Sequence, residues 1–300
     1  MSTTESALVP IREVSRLTGV NSITLRAWER RYGLIKPQRT PKGHRLYSEN
    51  EVARVHQILA WLERGYSIGQ VKPLLDGNAP PSQPEQHPVE WELQATHLLT
   101  AVKTLNSNKF DAILQQLTAL YPLETCVNQL LYPLMQQLQP NPQQQVLGAE
   151  LEWQFLLQSL HSFFLQRLYQ SAKQAQGPLL LIIELDQARP SWLATLQAWQ
   201  ASQQGFRTHL VGQLPFAELP IALERLQAKA LIGVAEQPST QHLSHFTRLR
   251  QLYPQLPLGM LMIQPHPSLE LSSASIQTCY LPHLSLIRNL LVPSSRTKED

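Results

Sequence analysis

Cationic side chains, which can bind phosphate oxygens, are concentrated in the first quarter of the chain. Residues 1–77 contain 12 Lys and Arg against 7 Asp and Glu, whereas the remaining residues contain 13 against 15. A small basic segment on a near-neutral body is typical of a nucleic-acid-binding domain that is joined to a sensing or assembly module. The charge distribution therefore indicates nucleic acid as a partner.

Residue types that support catalysis or metal binding are sparse. Cys126 and Cys279 stand far apart, so one chain can build neither a disulfide framework nor a thiolate metal cage from them. The 12 glycines are not grouped into a phosphate-binding loop, which argues against P-loop and dinucleotide-binding enzymes. His242 and His245 have i, i+3 spacing, but without a third ligand nearby a solvated or capping role is favoured. We expect a protein that is not an enzyme and that needs no metal or cofactor.

The hydrophobic composition bounds the class of protein. Hydrophobic residues make up 43% of the chain, so each long segment can bury a core. No apolar run reaches the roughly 18 to 20 residues that a membrane span requires, and the first residues lack the pattern of a signal peptide. We expect a globular, cytoplasmic protein with no membrane partner.

The basic segment has the order helix, turn, helix, hairpin and helix pair. Gly19 permits a tight turn after the first helix, and Asn21 or Ser22 can cap the second. Gly33 ends this second helix. Residues 36–47 then place turn residues between two short extended arms that are rich in cations. The order predicts a winged helix-turn-helix.

The string LRAWERRYGLIKPQRTPKGHRLYSENEVARV, residues 25–55, resembles the DNA-binding head of MerR-type transcriptional regulators. The resemblance extends over about residues 9–75 and includes the recognition helix, the wing and the following helix pair. It implies a homodimer or higher homo-oligomer on a pseudo-palindromic promoter site, with RNA polymerase at the same promoter. It also implies an activator that twists or bends the promoter, with repression by blocking polymerase as the alternative.

Nine residues of this head are candidates for contact with DNA. Short polar side chains near the start of the recognition helix can reach base edges, and long cations on the wing can reach phosphates. For Tyr47, packing beneath the wing is an equal alternative, and Trp28 is expected in the core. Of Arg30 and Arg31, only one is expected to touch DNA. The candidates are Ser22, Thr24, Arg26 and Arg30 on the helix, and Arg39, Lys42, His44, Arg45 and Tyr47 on the wing.

Composition divides the rest of the chain. Four prolines interrupt the helical pattern after the head, and helical stripes follow them. Beyond these, short apolar runs alternate with helical stretches, which predicts a parallel sheet covered on both faces. The predicted parts are the head at 1–77, a linker at 78–88, a four-helix bundle at 89–176, a Rossmann-like α/β domain at 177–293 with strands at 179–185, 208–211, 230–235 and 258–263, and a tail at 294–300.

The order of linker, bundle and α/β domain resembles the cobalamin-binding regulators of the MerR family, and residues 206–234 are similar to the middle of a cobalamin domain. The signatures that such domains use to hold cobalamin are nevertheless missing. The loop at 186–190 has no histidine for cobalt, residues 235–238 replace the Ser-x-Leu motif, and residues 263–265 lack the glycine pair. We expect the domain to have kept the fold and lost cobalamin, and to serve assembly or the sensing of another ligand. A cobalamin- or other ligand-dependent repressor is the alternative.

Overall fold

A computed structural model describes residues 8–77, 89–141, 143–144, 146–173, 175–186, 191–236, 239–263 and 276–281. The chain forms two compact units, Met1–Trp153 and Gln154–Asp300. The predicted linker at 78–88 and the predicted tail at 294–300 lie outside the described residues. Among the described helices, none is long and apolar enough to cross a membrane.

The head, in the first unit, has the predicted order of elements. Glycines in the left-handed region follow the first two helices, with φ of 76° at Gly19 and 59° at Gly33. The Asn21 side chain caps the second helix by accepting hydrogen bonds from the backbone N–H groups of Ile23 and Thr24. The elements are β1 (Val9–Pro10), α1 (Ile11–Thr18), α2 (Ser22–Ala27) continuing as a π-helical turn (Trp28–Tyr32), β2 (Gln38–Arg39), β3 (Arg45–Tyr47), α3 (Glu49–Glu63) and α4 (Ile68–Leu75).

The wing is part of a three-stranded antiparallel sheet in the order β1-β3-β2. Gln38 pairs with Leu46 and Arg39 with Arg45, while Val9 pairs with Tyr47 on the other side of β3. The third strand therefore lies in the centre, where Tyr47 is buried.

Four further stretches of helix complete the first unit up to the start of α9. Asn106 caps α6 by accepting from the N–H of Lys109, and Phe110, Leu114 and Leu117 form its buried stripe. The helices are α5 (Val89–Lys103), α6 (Ser107–Leu120), α7 (Leu123–Cys126) with a π-helical turn (Val127–Leu131), α8 (Tyr132–Leu138) and α9 (Ala149–Ala172), which crosses into the second unit.

The second unit contains a parallel five-stranded sheet in the order β5-β4-β6-β7-β8. The sequence predicts the first four strands along the chain, with ends that agree within two residues, and misses the fifth. The elements are β4 (Leu179–Glu184), α10 (Trp192–Gln203), β5 (Arg207–Gln213), a 3-10 turn (Phe216–Glu218), α11 (Leu219–Leu226), β6 (Ala230–Ala235), α12 (Thr240–Leu252), β7 (Leu258–Met262) and β8 (Gln277–Tyr280).

Buried aliphatic residues of β4, β6 and β7 form one core with α11 and α12. Within β6, Gly233 lets Phe246 of α12 approach the backbone closely. A Cβ atom at position 233 would stand 2.5 Å from the ring carbon Cζ of Phe246 and 2.9 Å from Leu185 Cδ1. This helix-to-strand approach therefore requires glycine at position 233.

Candidate DNA-binding surface

The recognition helix α2 and its π turn have one buried and one exposed face. The buried face consists of Thr24, Leu25, Ala27 and Trp28. The exposed side chains are those of Ile23, Arg26, Arg30 and Arg31, and Ser22 is partly buried beside them. Three of the four exposed side chains are cations, so the outward face is positively charged.

Two of the predicted DNA contacts do not lie on this surface. Thr24 is 0% exposed, and its Oγ1 has no hydrogen-bond partner within the described structure. Because the side chain is fully buried, it cannot reach a base edge in this conformation. Tyr47 is also fully buried in the central wing strand, and burial raises the pKa of its phenol to about 12. Packing beneath the wing, the alternative stated for Tyr47, is what the structure shows.

Glu29 joins the recognition helix to the wing. Its carboxylate accepts a hydrogen bond from Arg39 Nη2 at 3.0 Å and another from Arg45 Nε. Burial by itself raises the pKa of Glu29, but the two arginine hydrogen bonds outweigh burial and hold the pKa below its usual value. The side chain of Arg45 is only 19% exposed, whereas that of Arg39 is 54% exposed. Arg45 therefore positions the wing, and Arg39 retains surface that DNA can reach.

The tip of the wing is a hydrogen-bonded turn. The backbone N–H of Thr40 donates to the carbonyl of His44 at 2.9 Å, and the N–H of Gly43 donates to the carbonyl of Thr40 at 2.8 Å. Gly43 has φ of 82°, which favours glycine at this position. The turn leaves Lys42 and His44 exposed, as a phosphate contact requires.

The buried face of the recognition helix is held by the end of α6. The indole N–H of Trp28 donates to the backbone carbonyl of Leu120 at 2.8 Å. The next residue, Tyr121, accepts at its hydroxyl from the backbone N–H of Ile68 at the start of α4, at 3.4 Å. The ring of Trp91 lies 4.6 Å from that of Tyr121. Leu120 and Tyr121 thus form a corner, here called the α6 corner, that contacts both the π-helical turn after α2 and the start of α4.

Titratable residues also gather at the carboxyl edge of the parallel sheet. Glu184 at the end of β4 accepts hydrogen bonds from the N–H of Ser191 at 2.6 Å and from its hydroxyl at 3.3 Å. Burial raises the pKa of Glu184 to about 7. His242 belongs to the cap of α12, where its Nδ1 accepts from the N–H of Ser239, and His245 stacks on Phe216. The predicted capping role for a histidine of this pair is confirmed at His242.

The described part of this edge does not fit cobalamin. Among the described residues no imidazole directly follows β4, where Leu185 and Asp186 stand, and His242 has its Nδ1 engaged in the cap of α12. Most of the three signature segments lies outside the described residues. The parts that are not described are residues 187–190, 237–238 and 264–265. Both cysteines are buried thiols, as expected, and the described residues contain no cluster of three potential metal ligands.

A basic winged helix-turn-helix with an exposed recognition face defines a DNA-binding domain. Residues 9–78 match the family described as MerR HTH family regulatory protein. The chain is 34% identical over 214 residues to the HTH-type transcriptional regulator MlrA of Escherichia coli (69% of this chain, 83% of that protein) and over 203 residues to MlrA of Salmonella typhimurium (67% and 78%). It is 27% identical over 136 residues to the HTH-type transcriptional repressor CarH of Myxococcus xanthus, 42% of this chain and 44% of that protein. The chain belongs to the MerR family and is a DNA-binding transcriptional regulator, not an enzyme.

Proposed function

We propose that the protein binds promoter DNA as a homodimer and activates transcription by distorting the promoter so that RNA polymerase can engage it. The observation that carries this proposal is the exposed cationic face shared by the recognition helix and the wing. The helix enters the major groove, and the wing follows the phosphates beside it. The proposed contacts are Ser22, Arg26 and Arg30 on the recognition helix and its π turn, and Arg39, Lys42 and His44 on the wing.

A dimer follows from the size of the head. A single recognition helix covers only a few base pairs, which is too small a footprint for specificity at one promoter. Two heads related by a two-fold axis read two half-sites about one helical turn apart, and the site is then pseudo-palindromic. In a higher homo-oligomer built from such dimers, the heads are again paired by two-fold axes and bind pseudo-palindromic sites.

The rest of the chain is proposed to serve assembly or the sensing of a ligand other than cobalamin. We assign a Rossmann-like fold to residues 177–293, because the strand order counted along the chain is 2-1-3-4-5, an order found among doubly wound α/β folds. For the residues before this domain we keep the boundaries predicted from sequence, with a linker at 78–88 and a helical bundle at 89–176.

A ligand-dependent repressor is the second candidate. The similarity to CarH, which is named a transcriptional repressor, favours this alternative. The two candidates differ in the sign of regulation and in the need for a bound ligand, so one experiment can separate them.

The test begins with duplexes that the full chain selects from a random DNA pool. Analytical ultracentrifugation of the selected complex gives the number of chains, and transcription with purified RNA polymerase from a genomic promoter carrying the same sequence gives the sign. We expect two or more chains on an inverted repeat and increased transcript. Decreased transcript would favour the repressor. A single chain on a site without symmetry would contradict the dimer.

A further inference from the structure

Ile23 is an exposed aliphatic side chain at the start of the cationic outward face of the recognition helix. It is 59% exposed and lies on the same outward face as Arg26 of α2 and Arg30 of the following π turn. Its direction is fixed, because Asn21 caps the helix and Thr24, Leu25 and Trp28 anchor the opposite face. A β-branched residue has no advantage at an exposed helical position, either from helix propensity or from packing within the chain.

The major groove of DNA offers one apolar feature that such a side chain can contact. Thymine carries a C5-methyl group at the groove edge, whereas the other bases present hydrogen-bond donors and acceptors there. Residues near the start of a recognition helix are the ones that reach base edges. Ile23 is the second residue of α2, and the neighbouring cations supply the attraction to phosphate.

We infer that Ile23 packs against the methyl group of a thymine in each half-site and is a specificity-determining residue of the protein. The inference rests on the proposed use of the outward face of α2 for DNA contact. It replaces Thr24, the neighbour that faces inward, as the base-reading residue at this end of the helix. The contact involves no hydrogen bond, so it discriminates by shape and by removal of the methyl group from water.

Deoxyuridine provides the decisive probe, because it differs from thymidine only by lacking the C5-methyl group. The full chain first selects duplexes from a random pool, and each thymine of the selected site is then replaced singly by deoxyuridine. For the wild type we expect one position in each half-site at which the replacement weakens binding about fourfold, the effect of one buried methyl group. For Ile23→Ala we expect equal affinity for the thymidine and deoxyuridine duplexes at that position.

Two companion variants keep the outcomes distinct. Ile23→Val retains a β-branched side chain and should preserve the preference for thymidine, which shows that the fold and the helix are intact. Arg26→Ala should weaken binding to both duplexes. If Arg26→Ala weakens binding while Ile23→Ala keeps the thymidine preference, the inference about Ile23 is overturned and the proposed DNA surface stands. If neither variant alters binding to any duplex, the proposed surface itself fails.

Discussion

At the scale of single residues, the ion pairs of the wing separate cations that hold the fold from cations that can meet DNA. Arg45 is bound to Glu29 and mostly covered, whereas Lys42 stands exposed on the wing turn. The sequence predicts both as phosphate contacts, since it shows their charge but not their partners. The structure therefore assigns them different expected effects on binding.

Lys42→Ala and Arg45→Ala should differ in their salt dependence. Each phosphate contact that is lost lowers the slope of log K against log salt concentration by about 0.9. We expect this decrease for Lys42→Ala, and for Arg45→Ala a weaker affinity with an unchanged slope, because only the placement of the wing is affected. Fluorescence anisotropy across a salt series measures both quantities, with Lys109→Ala on α6 as a control for net charge. A lowered slope in Arg45→Ala would show that Arg45 does contact a phosphate.

Glu184 predicts a pH dependence of stability in the second unit. The side chain is 3% exposed, and its burial raises the pKa to about 7 from 4.5. Between these two values the folded chain holds a proton that the unfolded chain has lost. The free energy of unfolding should therefore fall as pH rises through this window, by about 3 kcal/mol.

Glu184→Gln keeps an oxygen that can accept from the N–H of Ser191 and removes the titration. We expect the urea midpoint of the wild type to fall between pH 5 and pH 8, while that of the variant changes much less. Hydrogen exchange of the β4 amides locates the effect in the sheet. If the β4 amides of the wild type exchange equally slowly at both pH values, after correction for intrinsic exchange rates, the pH dependence assigned to Glu184 is refuted.

At the scale of elements, the α6 corner shows what fixes the direction of the recognition helix. The helix and its caps are local features, and Asn21, Gly19 and Gly33 predict them correctly. Which face of α2 turns outward depends on Trp28 reaching Leu120, a partner 92 residues away. Residue type alone made Thr24 a candidate, but Thr24 stands one helical turn before Trp28 and shares its buried face, so Ile23 faces outward instead.

The strands also divide into those that local sequence predicts and one that only tertiary pairing defines. Four short, largely apolar runs predicted four strands, of which β4, β6 and β7 are buried and β5, at the edge of the sheet, is only partly buried. The fifth strand, β8, is four residues long and carries the polar residues Gln277 and Thr278, so no apolar run marks it. It belongs to the sheet because it pairs with β7, which is a tertiary contact.

Trp28→Phe should weaken the attachment of the head to the α6 corner without creating a large cavity in the core of the head. Phenylalanine keeps most of the buried ring but cannot donate to the carbonyl of Leu120, so we expect a loss of about 1 kcal/mol in unfolding free energy. Hydrogen exchange should become faster for the backbone N–H of Tyr121, which donates to the carbonyl of Leu117. The matched control is Trp61→Phe, since Trp61 contacts Tyr66 and Arg64 within the head. Equal exchange at Tyr121 in both variants would show that the indole hydrogen bond does not hold the corner.

At the scale of the whole chain, the sequence is more informative about family than about ligand. Residues 25–55 carry enough specific positions to indicate a MerR head, and the comparison with MlrA shows the family. The missing C-terminal signatures predict only that cobalamin is not bound, and a different ligand would leave no motif known in advance. The question of a bound ligand is therefore one for direct measurement.

The protein is predicted not to bind cobalamin and not to respond to light. Holding a corrin requires an axial base below cobalt and a glycine-lined slot for the nucleotide tail. The segments at 186–190 and 263–265 provide neither an imidazole nor a glycine. The full chain is mixed with adenosylcobalamin or methylcobalamin in the dark, desalted, and examined by visible absorption and by size before and after illumination. We expect no corrin absorption in the protein fraction and an unchanged oligomer size. Stoichiometric co-elution of corrin would overturn the prediction and favour the ligand-dependent repressor.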